Sequence, residues 1–321
     1  KSSVAADYRV DVMFTHSKTK KQYKVPGYYA GNGDAANGPF ASERKLDYDV
    51  SKLAQWEVVF EYAEQKGIAL HMNDEIFGDN KLSEARKLVY HEMVARFSHH
   101  LAVTWDLGKE ASRVEYVKDR SAFLRSMDPY KHPIVVQADS SLLGVDSIDG
   151  TSLQSDSPHA DTIEWLSQSA AIGKKWIVSV DQTADTLKGV LPDGDDSNLD
   201  EIRKNLLWGN LMAGGWGVQY LFGTSFSESD LTLQDFRSRN KLFEQSRYAL
   251  EFFGEIPLWE MKTKNEWAGV GTANSVLATS DNSIIVFYKG ENRQHVHGMV
   301  VRPTQGWTDE GRTPFDGQKW K

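Results

Sequence analysis

The run Leu101-Ala102-Val103-Thr104-Trp105-Asp106-Leu107-Gly108-Lys109-Glu110 starts apolar and β-branched, then turns polar through an aromatic, a glycine and two carboxylates. This is how a buried strand that delivers side chains into a pocket reads. A parallel strand covered on both faces is apolar through its length, and its carboxyl end opens into the loops where ligands bind. Asp106 and Glu110 therefore stand where chemistry usually sits. The plainer alternative is that Glu110 only begins the next helix, where the positive end of the helix dipole favours a carboxylate.

Outward from this run the chain alternates helix and strand. Leu53, Trp56, Phe60 and Ala63 have helical spacing, Gly67 is placed to end that helix, and Ile68 to Met72 is a short apolar strand. Ser83 heads a helix leading into the Leu101 run, and Val114 to Met127 is a helix stopped by Asp128-Pro129 before the strand Pro133 to Ala138. Further on, Thr151 to Gln154, Lys175 to Gln182 and Val218 to Phe222 read as strands, with helices around Ile163 to Gly173, from Glu201 to Ala213 and from Phe236 to Phe253. Such alternation implies right-handed parallel crossovers, hence an α/β fold, either a doubly wound sheet or a (β/α)8 barrel. With no G-x-G-x-x-G after the first strand and polar residues at several strand ends, the expectation is a TIM-type barrel that is two strands short.

At the amino end, Tyr8 to Phe14 and Gln22 to Val25 alternate around a turn at Lys18 to Lys20, a β-hairpin signal. The breaker cluster Gly31 to Pro39 marks a boundary, and after Gly254 the period returns to two, with strands expected at Ser283 to Tyr288 and Val296 to Val301. The expected domains are a partial β-sandwich over 1–38, a barrel over 39–256 and a β domain over 257–321.

A net charge of -8 over 321 residues, with no Lys/Arg run, argues against a nucleic-acid backbone or an anionic membrane surface as partner. No stretch approaches a membrane span, and the amino end has no hydrophobic leader core, so the chain reads as soluble, with any signal peptide already removed and the compartment left open. The absence of Cys removes disulfides and thiolate metal sites. No cofactor and no metal ion is expected. The ten Trp and twelve Tyr are the stronger lead, because aromatic faces stack on the apolar faces of sugar rings, although most Trp in any chain are packing residues.

Val25 to Ala30, Leu53 to Glu57, Arg96 to Trp105, Leu191 to Asp196 and Trp208 to Gly215 resemble a family of bacterial apiosidase-like glycoside hydrolases. Members carry an N-terminal β-sandwich, a clan-A-like TIM barrel and a C-terminal β domain described as collagen-binding. The resemblance implies a secreted, cell-surface or periplasmic protein that hydrolyses a plant or algal poly- or oligosaccharide with a carboxylate pair. It puts the acid/base at Glu110 and the nucleophile position at Asp181-Gln182, where the family pattern is Asp-Glu. Gln182 thus replaces the expected nucleophile, and an amide oxygen is far too weak to form a glycosyl-enzyme intermediate. Either Asp181 takes the role, or the chain is a non-catalytic carbohydrate-binding or extracellular structural protein. The two barrel strands that relatives place before Leu46 are absent; the sequence either joins segments across omitted residues, the favoured reading because a barrel cannot close with a quarter of its wall missing, or carries a natural deletion.

Around the carboxylates, His71, Asn73, Glu75, Asp106, Gln154 and Asn210 are candidate substrate contacts, with Trp105, Trp208, Trp216 and Tyr220 flanking the pocket and one or two of these aromatics as sugar platforms. His99-His100, ahead of the strand, read as structural. The oxygen-rich segment Asp193 to Glu201 lacks the Gly and final Glu of an EF-hand and reads as a loop that caps the following helix.

Overall fold

The computed structural model describes residues 11–15, 17–26, 50–74, 81–108, 113–137, 139–182, 189–195, 202–223, 236–254, 256–268, 274–289 and 297–301. The chain divides into two compact units, Lys1–Gly150 and Thr151–Lys321. The fold is mixed α/β, with parallel strands alternating with helices and a smaller antiparallel sheet.

In the first unit, β1 (Asp11–Thr15) and β2 (Gln22–Pro26) form the antiparallel hairpin, Asp11 opposite Pro26 and Thr15 opposite Gln22. Tyr8 to Val10, and the span from Gly38 to Leu46 where the chain was expected to skip residues, lie outside the described residues. Helix α1 (Val50–Gln65) buries Leu53, Phe60 and Ala63 but leaves Trp56, Val58, Val59 and Tyr62 exposed. It carries more apolar side chains than its one packed face can cover. Gly67, at φ 71, lets the Ile68 and Gly67 amides reach back to the carbonyls of Ala63 and Glu64 at 2.9 and 3.1 Å, a paired C-terminal cap.

Strand β3 (Leu70–Asn73), helix α2 (Glu84–Phe97), β4 (Val103–Asp106), α3 (Val114–Met127) and β5 (Ile134–Gln137) follow the expected beat. Ser83 caps α2, its hydroxyl accepting the Arg86 amide at 3.2 Å. The three strands are parallel neighbours in chain order, with His71 beside Thr104, Met72 beside Trp105, Asn73 beside Asp106, and Asp106 beside Val135. Phe60 stacks on Phe97 with centroids 4.4 Å apart, bringing α1 onto α2.

In the second unit, β6 (Gly150–Gln154), α4 (Pro158–Ala171), β7 (Ile177–Gln182) and the two-residue β8 (Gly217–Val218) continue the parallel pattern. Two elements differ from expectation. The helix expected from Glu201 is a π-helix over Ile202–Trp208 that passes into the short α5 (Gly209–Met212). The strand expected to reach Phe222 stops at Val218: after Gln219 donates to the Val180 carbonyl at 2.9 Å, the Leu221 carbonyl turns to accept the Val190 amide at 2.7 Å. Helix α6 (Asn240–Phe253) is entered through a 3-10 turn at Phe236–Arg239.

Four strands, β9 (Met261–Thr263), β10 (Ser275–Thr279), β11 (Ile285–Lys289) and β12 (His297–Val301), make an antiparallel sheet in the order β12-β11-β10-β9. Two of them, β9 and β10, go beyond the two expected. Met261, Leu277, Val286 and Tyr288 of this sheet share one buried cluster with Leu207, Trp208, Met212 and Tyr248. No described helix is long and apolar enough to cross a membrane.

Candidate functional site

Successive side chains on a strand point to opposite faces. On β4 this separates Trp105 from Asp106. Trp105 is buried, and its indole N–H donates to Asp128 at 2.9 Å; the same carboxylate oxygen contacts the His132 amide at 2.9 Å and its ring Nδ1 at 2.8 Å. Burial pushes the Asp128 carboxyl upward, but the hydrogen bonds from His132 and Trp105 outweigh it and hold the group below the usual carboxylate range.

The opposite face of the β3–β4 pair carries His71, Asn73, Thr104 and Asp106. Asn73 Nδ2 donates to Asp106 Oδ2 at 3.2 Å, and the Gly108 amide donates to Asp106 Oδ1 at 3.0 Å. Gly108 takes φ 77 to fold back in this way. Thr104 and Asp106 are buried, His71 is half-buried and Asn73 is exposed, so the polar row opens towards solvent at the carboxyl ends of the strands. The Thr104 hydroxyl, with no exposed surface, has no hydrogen-bond partner among the described residues. A parallel strand normally carries apolar residues on both faces, and an unpartnered buried hydroxyl is costly to keep.

Next to this row, the buried Asp74 carboxylate receives Arg86 Nε at 3.2 Å, Arg120 Nη1 at 3.0 Å and the Tyr90 hydroxyl. It fastens the end of β3 to α2 and α3, which fixes where the strand end points.

The second unit repeats the alternation on its own strands. Leu153 of β6 and Val178 and Val180 of β7 pack into a cluster with Ile202, Leu206 and Leu242. Ser152, Gln154, Ser179 and Asp181 therefore occupy the other face. Ser179 Oγ donates to Asp181 Oδ1 at 2.8 Å; Ser179 is buried, Asp181 half-buried and Gln154 exposed. Gln182 is the last residue of β7.

Of the residues singled out from sequence, Asn73 and Asp106 are brought into contact. Glu110 and Glu75 lie outside the described residues, as does Lys109. Four others serve the interior. Trp105 faces away from Asp106, and Trp208 stacks on Tyr288 at 5.4 Å with Phe252 and Phe253 around it, so neither ring offers a free face to solvent. Asn210, with no exposed surface, donates to Thr162 Oγ1 at 3.1 Å and the Val178 carbonyl at 3.2 Å and accepts the Gly217 amide at 3.0 Å. All three contacts are structural. Tyr220 pairs with Ser246 at 3.1 Å; burial pushes its phenol up to about 12, the Ser246 contact pulling the other way, so it is a neutral hydroxyl at ordinary pH. The Asp193 carboxylate accepts the Lys241 amide at 3.1 Å near the start of α6, while residues 196–201 of the expected capping loop lie outside the described residues.

Sequence reasoning missed Thr104, Ser152 and Ser179. Their signal was present: each stands two residues before a polar residue at a strand's carboxyl end.

No protein-family model and no curated protein matches this chain.

Proposed function

We propose that this protein acts on a glycan, as a glycoside hydrolase built on a TIM-type barrel, with Asp181 as nucleophile and Glu110 as general acid. The observation that supports it is the repeated alternation on β3, β4, β6 and β7, where one face of each strand is polar and grows more exposed towards the carboxyl end. Ligand sites of parallel α/β folds lie at those ends. The first unit presents Asn73 and Asp106 at its strand ends and the second unit, on its own strands, Gln154 and Asp181; such amides and carboxylates suit hydroxyl-rich, uncharged ligands. The acidic net charge points the same way. The bacterial, apiosidase-like affinity, the flanking β domains and the secreted location belong to the same proposal and rest on the sequence resemblance.

Gln182 favours a second reading, a carbohydrate-binding or extracellular structural protein that keeps the fold without cutting. Hydrolysis of a panel of plant and algal glycans by the wild type, Asp181→Asn and Gln182→Glu separates them. Under the first reading the wild type turns over at least one glycan and Asp181→Asn stops turnover while sparing binding, because the amide keeps the shape and loses the charge that stabilises the transition state. Turnover that survives Asp181→Asn overturns the nucleophile assignment. An inert wild type that binds a glycan, with activity appearing in Gln182→Glu, supports the second reading.

A further inference from the structure

Away from the strand carboxyl ends, Glu57 on α1 and the pair His99-His100, in the turn between α2 and β4, converge. Glu57 Oε1 lies 2.8 Å from His99 Nε2 and 3.2 Å from His100 Nε2, and the three atoms lie within 4.8 Å of one another. Glu64, two helical turns after Glu57, places its Oε2 3.4 Å from His100 Nδ1, while its Oε1 accepts the Leu101 amide at 2.7 Å.

The two imidazole rings lie side by side, with centroids 4.2 Å apart, and both turn an Nε2 atom to the same carboxylate oxygen of Glu57. A divalent cation among the three atoms satisfies all of them at once. Two imidazoles and a carboxylate form a donor set for Zn2+ that leaves one position open, and a carboxylate behind a ligand histidine is the usual outer support of such a site. His100 is buried and His99 half-exposed, so one ligand is fixed by the fold and the other stays accessible to an incoming ion.

We propose that Glu57, His99 and His100 form a Zn2+ site that staples α1 to the turn before β4, with Glu64 as the positioning residue that orients His100. The site does not depend on the glycan reading. Its test is titration of Zn2+ into the chelator-treated, desalted full-length chain by calorimetry, with Co2+ visible absorption reporting geometry. The expected result is one equivalent per chain, a raised thermal midpoint and the intense visible bands of a low-coordinate cobalt site. Glu57→Gln and His99→Ala should each abolish stoichiometric binding or weaken it by at least about 10-fold, and Glu64→Gln should weaken it by about 10- to 100-fold. His99 is half-exposed, so circular dichroism of His99→Ala without metal should match the wild type. The proposal is overturned if the wild type binds no stoichiometric Zn2+, or if both Glu57→Gln and His99→Ala bind it as the wild type does.

Discussion

Trp105 and Asp106 are adjacent in sequence and serve opposite sides of the same strand. One ring goes to the interior, where it satisfies Asp128, and the next carboxylate goes to Asn73 at the strand end. Composition alone could not separate them; the period of two could, since one parity of β4 is Val103 and Trp105 and the other is Thr104 and Asp106. The period of two thus separates a packing aromatic from a polar strand-end group, which aromatic abundance does not. Asp128 carries a testable consequence. Its carboxyl is depressed in the folded state, so it contributes stability that is fully present above the unfolded value near 4 and is lost as pH falls through the lower folded value. Urea denaturation at stepped pH should show the wild type losing stability below about pH 4 and Asp128→Asn being less stable at neutral pH with a shallower acid dependence. Equal slopes in the two proteins would remove Asp128 from the acid response.

Among the elements, those with strong local signals were legible. Val114–Met127 has the bounds its pattern predicted, because apolar spacing inside and Asp128-Pro129 beyond it agree. The capping role of Ser83 was also readable, and Ser83→Ala should lower the unfolding free energy by about 1 kcal/mol in chemical denaturation, since it orphans the Arg86 amide. No loss of stability would mean that another group takes over the amide. Elements fixed by distant partners were not readable. The π-helix at Ile202–Trp208 lies where Trp208 must enter a cluster with Tyr288, a residue of β11. Similarly, β8 ends early because the Leu221 carbonyl pairs with Val190, about thirty residues earlier in the chain. Strand β9 has only three residues, and β10 is buried along its whole length and so lacks an apolar–polar alternation; neither gave a clear periodic signal of its own.

For the chain as a whole, the mixed α/β class and the sequence of parallel strands were recoverable from alternation, and the extra antiparallel sheet was recoverable in part. Its shared core with Trp208 and Met212 was not, because packing between elements leaves no period in the sequence. The functional proposal rests on the polar face of the strands, and β4 allows that face to be tested against its own reverse side. The deciding measurement is calorimetric titration of a panel-selected glycan into the wild type, Asp106→Asn and Trp105→Phe. Asp106→Asn should weaken affinity by about 10- to 100-fold, the loss expected when a charge-assisted hydrogen bond to a sugar hydroxyl is removed. Trp105→Phe should bind as the wild type does while losing about 1 kcal/mol of stability with its Asp128 bond. Unchanged affinity in Asp106→Asn together with lost affinity in a folded Trp105→Phe would contradict the account, because the ligand would then be held by the face assigned here to the interior.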